Sequence, residues 1–575
     1  MHFVDPTSEN AARSTLCTLA ATDLLTLRAQ PPLTFVPSLT EPRSPSIGRA
    51  MRRVLAHPLA PVVGAALAAL AYVAVQPATA DMAAHAFRAW LFDTEGMTVW
   101  NAQWYGGHHV LGYSTLFAPL AAWPGPAWSG ALAAVAATAA FAPIARAAAP
   151  SAEAAAAATW LFAAGVLSNV VIGRMPFTLG IALAVTAWLC ARPDRRAAWR
   201  VVAGVLSLAC VLASPVAGAF LALAALALAL ARGREAVGRA AVLALPVAIG
   251  GAGMYLLFPE GGDDRFVATA FWPMLLVVIA ATALVAPGRR SVRVGAVLYI
   301  AILVAAFVVP TPFGQNALRL PVLIGPALLL IAPRAGAPRA AIAVVLAALL
   351  YLQWLPAVRA VAEARGDPST EAAFFDVPRE FLSQAVEPGE RVEVAFTHNH
   401  WEVAHLASAV PLARGWERQL DEKANPLFYD GRPLTAWRYH SWLRDTGVHW
   451  VALPDAPLDY SAEAEARLLK RGLPYLRPAH EGGGWRIWEV RDPSPPASDG
   501  ARVTAAGPDG FEVESGGTTV VRQRWTRWWR SDGACVSRAP GGWTRVTPVR
   551  RGPVRVRAEL EADGGPECST SLAGH

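Results

Sequence analysis

The sequence predicts a polytopic α-helical membrane protein with about eleven transmembrane helices and a soluble C-terminal region of α/β plus β-sandwich character. Three observations carry this. Of 575 residues, 54% are hydrophobic and only 16% are charged, against roughly 25% charged in an ordinary soluble domain. Eleven apolar runs follow one another, each near the ~20 residues that cross a hydrocarbon core. They lie at about 57–79, 127–145, 153–172, 176–191, 198–213, 215–231, 240–258, 267–286, 293–310, 317–333 and 338–356. Past residue 356 the apolar runs end, and short strand-like segments alternate with helical ones.

The loops between the runs set the orientation. One alternating set carries Arg52 and Arg53, then Arg146, the Arg192–Arg200 group, the Arg232–Arg239 group, the Arg289–Arg293 group, and Arg334 with Arg339. The other set carries only Arg88, Arg174, Arg265 and Arg319. The arginine-rich set is expected to be cytoplasmic. The opposite loops then face outward, and an odd number of spans sends everything beyond residue 356 outward too. The formal charge of +7 therefore reflects membrane topology, and nucleic acid is not an expected partner. The two lysines, Lys423 and Lys470, follow no glycine-rich loop, so no phosphate-cradling ATPase motif is present.

The domain boundaries follow from composition. Residues 1–50 are polar, contain prolines and lack periodicity, and they read as disordered. Met51-Arg52-Arg53 before an apolar run resembles a natural start. Residues 51–356 form the membrane domain, in which Ser214-Pro215 marks either a tight turn or a kink. Residues 357–493 read as an α/β domain and 494–575 as a β-rich domain with turns at GPDG, ESGG, APGG and RRGP. Cys535 and Cys568 fall in that last segment. A disulfide and two free thiols both remain open there.

The most informative segment is the outward loop of about forty residues, DMAAHAFRAWLFDTEGMTVWNAQWYGGHHVLGYSTLFAP, from Asp81 to Pro119. Asp81, His85 and Arg88 are spaced i, i+4, i+7 and share one helix face. A carboxylate, an imidazole and a guanidinium on one face at a membrane surface are costly unless used. Each also has a plainer reading. Asp81 suits a helix N-terminus, and His85 and Arg88 suit lipid head groups. Trp100, Asn101, Trp104 and Tyr105 read either as a sugar-stacking surface or as an interfacial aromatic belt. His108 and His109 are adjacent, and adjacent side chains point apart in most backbones, so a metal there is not expected.

Asp81 just after the first span, the pattern D-x-x-x-H-x-x-R, then WN..WYGG and G-Y-x-x-x-x-x-P, resemble the GT-C superfamily of membrane glycosyltransferases. The layout of many spans and an outward C-terminal part is similar as well. Within that group the chain looks like bacterial membrane proteins called 6-pyruvoyl-tetrahydropterin synthase-related. The tail TRWWRSDGACVSRAPGGWTRVTPVRRGPVRVRAEL is similar to the end of YfhO-type membrane proteins. The resemblance implies transfer of a sugar from a polyprenyl-phosphate donor, with Asp81 as the catalytic residue, to an extracytoplasmic glycan, lipid or protein. It implies a bacterial cytoplasmic membrane location, with membrane lipids around the site. Many relatives carry paired acids in this loop, whereas Ala80 precedes Asp81. That departure leaves a divalent metal unsupported, and no other cofactor is indicated.

The chemistry needs a base for the acceptor and neutralisation of the leaving phosphate. Outward arginines supply paired hydrogen bonds to phosphate. Arg174 lies at the end of the third run. Asn316 and Arg319 sit i, i+3 at a helix start, where free backbone N–H groups also favour anions. Asp263 and Asp264 read as a solvated turn or a cation contact. His398, His400 and His405 read as a metal cluster or a docking surface, and Arg414–Arg418 as carbohydrate contacts or packing. Two other classes stay open. A transporter or flippase would show broken helices in two repeated halves, and no such repeat is visible. A non-catalytic assembly protein with the same fold is the other.

Overall fold

The computed structural model describes residues 54–560. The expectations for residues 1–50, for a start at Met51 and for Cys568 lie outside them. Cys535 is disulfide-bonded.

Helix α1 (Ala60–Val75) ends at Gln76, which adopts a left-handed conformation before Pro77. A residue before proline is pushed out of the helical region, and proline offers no N–H to continue the ladder. The chain turns by 81° into α2 (Ala80–Glu95), which buries a face of mixed apolar and polar residues, including His85 and Arg88. A two-residue hairpin follows, β1 (Trp100–Asn101) with β2 (His108–His109), and then the short α3 (Phe117–Ala122).

The bundle continues with α4 (Pro126–Ala148), α5 (Ala152–Ile172), α6 (Met175–Cys190), α7 (Ala197–Ala213) and α8 (Pro215–Arg232). It is completed by α9 (Arg234–Leu257), α10 (Ala268–Leu284), α11 (Arg290–Val308), α12 (Arg319–Ile331) and α13 (Arg339–Ala364). Every apolar run read from the sequence is helical. Seven described helices are long and apolar enough to cross a membrane, or eight if the bent α1–α2 pair counts as one span. α6, α7 and α10 are shorter, at 16 or 17 residues. By length alone, then, fewer helices span than the eleven expected. Ser214-Pro215 is a break between two helices rather than a kink within one. This is a polytopic α-helical membrane protein.

Loop contacts gather at two ends of the bundle. At one, Arg289 Nη2 donates to the carbonyl of Ala148 at 2.6 Å and Ala286 N to Ala332 O at 2.9 Å. At the other, Thr79 Oγ1 donates to Ile172 O at 2.9 Å and Asp264 N to Thr311 O at 2.9 Å.

The C-terminal part packs on the second end. α14 (Asp376–Ala385), β3 (Arg391–Val394), α15 (Glu402–His405), α16 (Arg418–Ala424), α17 (Ala436–Thr446), β4 (Val448–Pro454), α18 (Glu463–Arg471), β5 (Leu476–Gly482) and β6 (Trp485–Val490) follow in order. The sheet runs β3-β4-β6-β5, with β3 parallel to β4 and the other pairs antiparallel. Two antiparallel sheets come next: β10 (Trp529–Arg530), β13 (Val554–Ala558), β8 (Gly510–Glu514) and β7 (Arg502–Gly507) in one, and β11 (Ala534–Arg538), β12 (Trp543–Pro548) and β9 (Thr519–Arg524) in the other. Their inward valines and Phe511 form one apolar cluster, which Trp100 of the first loop joins.

The first loop is stitched into both soluble parts through its backbone. Ala102 N donates to Pro508 O at 2.7 Å, Leu412 N to Gln103 O at 2.8 Å and Arg524 N to Gly106 O at 2.7 Å.

Candidate functional site

Where α2, the loop after α5, the 258–266 and 311–319 loops and the 416–419 segment meet, the protein forms an open cavity of about 850 Å³. Asp81, His85, Arg88, Arg174, Asn316 and Arg319 all line it. Five chain segments far apart in sequence thus bring their polar groups to one space.

Asp81 sits in the first turn of α2. Gly173 lets the α5–α6 turn approach it: a Cβ there, at φ +99°, would lie 2.9 Å from Met82 N and 3.1 Å from the Asp81 Cβ. The Arg174 Nε that follows stands 3.9 Å from Asp81 Oδ2. Arg88 pairs with Glu417, and its Nη1 donates to Tyr113 O at 3.2 Å. Arg319 lies over the Phe177 ring at 5.2 Å. Among the described residues its guanidinium has no hydrogen-bond or ion-pair partner. Asn316 Nδ2 donates to Asp264 Oδ2 at 3.0 Å. Gly314 makes that packing feasible, since a Cβ there would collide with the backbone of Asp264. Burial pushes the Asp264 carboxyl up, offset in part by hydrogen bonds from 315–316 and by the Arg319 charge. His85 meets Phe117 edge to face at 5.4 Å, and its Nδ1 has no partner among the described residues.

A second polar group faces the same space. His109 Nδ1 lies 2.6 Å from Glu260 Oε1, and its Nε2 is 2.9 Å from Thr526 Oγ1. Burial raises the Glu260 carboxyl, but hydrogen bonding to His109 and the charges of both histidines outweigh it, so the group lies below the ordinary range. Away from these groups much of the wall is apolar, with Met254 of α9, Ala270 and Met274 of α10, Val322 of α12 and Leu352 of α13, interrupted by Thr269 and Gln353.

Trp100, Asn101, Trp104, Tyr105 and His108 do not line the cavity; all five are buried. Trp100 packs edge to face on Trp529 at 5.5 Å. Trp104 is stacked between Phe87 at 4.4 Å and His108 at 5.6 Å. Asn101 Nδ2 bonds His108 Nε2 across the hairpin at 3.0 Å, and burial lowers His108 from its ordinary value. The Tyr105 hydroxyl donates to Gly415 O at 2.5 Å and accepts from Glu417 N at 3.0 Å. Their faces and edges are taken by protein, so in this structure they shape the loop and set the position of Glu417. His109 turns to the opposite side from His108, as neighbours on a strand do.

The C-terminal expectations also change. Arg414 is 1% exposed and binds Asp421, with Nη2 to Oδ2 at 2.7 Å. It is a core ion pair and is not open to carbohydrate. His398 lies by Glu363, His400 stacks on Trp416 at 3.7 Å, and His405 stacks on Trp401 at 5.3 Å. These three histidines face different partners and do not converge. Glu417, Arg418 and Gln419 line the cavity.

No protein family matches this sequence, and no curated protein does. Among solved structures, ArnT from Cupriavidus metallidurans in the apo state is similar at 12% identity. The match covers 71% of this chain and 93% of that one, with a TM-score of 0.33. A likeness of that size bears on neither fold nor function.

Proposed function

We propose that this protein is a GT-C-type membrane glycosyltransferase that moves a sugar from a polyprenyl-phosphate donor to an acceptor on the outer side of a bacterial cytoplasmic membrane. The observation that supports it is the cavity, in which one carboxylate, Asp81, shares a space with Arg174 and the unpaired Arg319, beside an apolar wall of four helices. That combination suits a substrate with an anionic head and a hydrocarbon chain. Domain limits at 51–356, 357–493 and 494–575 go with this reading.

In the proposed reaction an acceptor oxygen attacks the anomeric carbon as Asp81 takes its proton. The bond from that carbon to the phosphate oxygen breaks, and the electron pair stays on the phosphate. Arg319 and Arg174 neutralise the charge that develops there. No nucleotide is needed.

The test uses the full chain reconstituted in membranes with labelled polyprenyl-phosphate sugars. Asp81→Asn keeps the size and hydrogen-bonding of the side chain and removes the base, so transfer is expected to fall by ~100-fold or more. Transfer at the wild-type rate would return Asp81 to a helix-capping role. A folded wild-type protein that neither transfers nor binds the donors would favour an assembly protein.

A further inference from the structure

Tyr113 belongs to the G-Y-x-x-x-x-x-P stretch of the first loop and lines the cavity. Neighbours hold it in place. Its carbonyl accepts from Arg88 Nη1 at 3.2 Å, and the Arg88 guanidinium lies 5.0 Å from its ring centroid. The preceding Gly112 lies so close to the 258–260 segment that a Cβ would be 3.2 Å from Phe258 O. The backbone is thus held from both sides, and the ring is held by a cation. The hydroxyl, by contrast, has no hydrogen-bond partner among the described residues.

Five charged groups surround that phenol. Arg319, Arg88, Asp81 and Glu417 act on it electrostatically, and it acts on Arg174. Burial raises the phenol above its ordinary value despite the pull of Arg319 and Arg88. It therefore keeps its proton at neutral pH and acts as an O–H donor.

We propose that Tyr113 is a substrate-contact residue whose hydroxyl donates a hydrogen bond to the phosphate of a polyprenyl phosphate, in the space between Arg88 and Arg319. The proposal rests on the glycosyltransferase reading and deepens it. The phenol transfers no proton. As the glycosidic bond to phosphate breaks, charge accumulates on the phosphate oxygens, and a fixed donor stabilises it most at that point. The hydroxyl of this half-buried tyrosine has no protein partner and lines the cavity, so a bound ligand can supply its acceptor.

The experiment measures binding of undecaprenyl phosphate, undecaprenol and inorganic phosphate to the purified full chain in detergent. Tyr113→Phe keeps the ring beneath Arg88 and removes only the hydroxyl. It should weaken undecaprenyl phosphate about tenfold, as for a hydrogen bond to a charged group, and leave undecaprenol unchanged. Inorganic phosphate alone should bind weakly to both proteins. Equal affinity of wild type and Tyr113→Phe for undecaprenyl phosphate would overturn the proposal. Equal loss for undecaprenyl phosphate and undecaprenol would overturn it too, by assigning the effect to ring packing. A wild-type protein that does not distinguish undecaprenyl phosphate from undecaprenol would sink the donor reading itself, a different pattern from either.

Discussion

The indole N–H of Trp416 donates to the carbonyl of Ala80 at 2.9 Å, one residue before Asp81. A second tryptophan does the same nearby, with Trp401 Nε1 bonding Ala78 O at 2.9 Å. Ala78 lies ahead of α2, so its carbonyl has no intrahelical donor, and the Ala80 carbonyl, in the first turn, takes the indole on a second lone pair. Behind Trp416 the buried His400 stacks at 3.7 Å, with Asp459 3.5 Å from its Nε2. The soluble region therefore grips the bend that aims Asp81, from a layer that is itself fixed by charge.

Trp416→Phe keeps an aromatic face against His400 and loses the N–H together with part of the ring. If the bend orients Asp81, turnover should fall about fivefold, the worth of one neutral hydrogen bond, with the donor concentration for half-maximal rate little changed. Steady-state rates over a donor series, with thermal melting as a fold check, measure this. A loss seen only in donor affinity would remove the link to Asp81.

Much of this arrangement could be read from local spacing. The i, i+4, i+7 face of Asp81, His85 and Arg88 needs only helix geometry, and all three line the cavity. Arg174 and Arg319 stood out because arginines are sparse in their set of loops. The aromatic run was harder. A tryptophan that stacks on sugar, sits at a membrane interface or fills a core has the same local sequence, and Trp100 and Trp104 are core because distant chains cover them. Glu417 and Arg418 lay in a stretch that reads equally as carbohydrate contact or packing, and local sequence could not place them or Glu260 at the cavity, because the pairs Arg88–Glu417 and His109–Glu260 join segments more than a hundred residues apart. The limits of α6, α7 and α10 were legible to within one or two residues, but a hydropathy run alone does not decide whether a helix of 16 or 17 residues spans.

The packing carries a topological expectation. Arg289 bonds the carbonyl of Ala148 at 2.6 Å, whereas Trp401 and Trp416 bond the opposite end of the bundle. A reporter fused near residue 290 should be active only inside the cell, and one fused after residue 360 only outside. Both reporters active on one side would break the assignment of the cavity to the outer face.

The α/β core carries a pH expectation. Burial raises the Glu465 carboxyl from 4.5 to about 7, opposed by the Arg414 charge and by hydrogen bonding to Tyr439. A carboxyl raised in the folded state stabilises fully below its unfolded value, and that contribution is lost as pH rises to the folded value. Melting temperature should therefore decline between pH 4.5 and 7 and the Glu465 contribution should be flat above. Glu465→Gln should flatten the decline. An unchanged slope in that variant would show that Glu465 is ionised in the fold.

Arg319 separates donor binding from chemistry. Its guanidinium lies over Phe177 at 5.2 Å and has no carboxylate partner among the described residues, so its hydrogen-bonding capacity is available to a ligand. If it holds the lipid phosphate in the ground state, Arg319→Ala should lower transfer by ~10-fold or more at low donor and recover at high donor, as uniform binding requires. Arg319→Lys should restore only part of the loss, because an ammonium keeps the charge but not the paired geometry. A donor series in reconstituted membranes gives both parameters. A fall in maximal turnover with unchanged donor dependence would instead place Arg319 against the transition state. Wild-type behaviour in both variants would move the phosphate toward Arg174, the arginine beside Asp81.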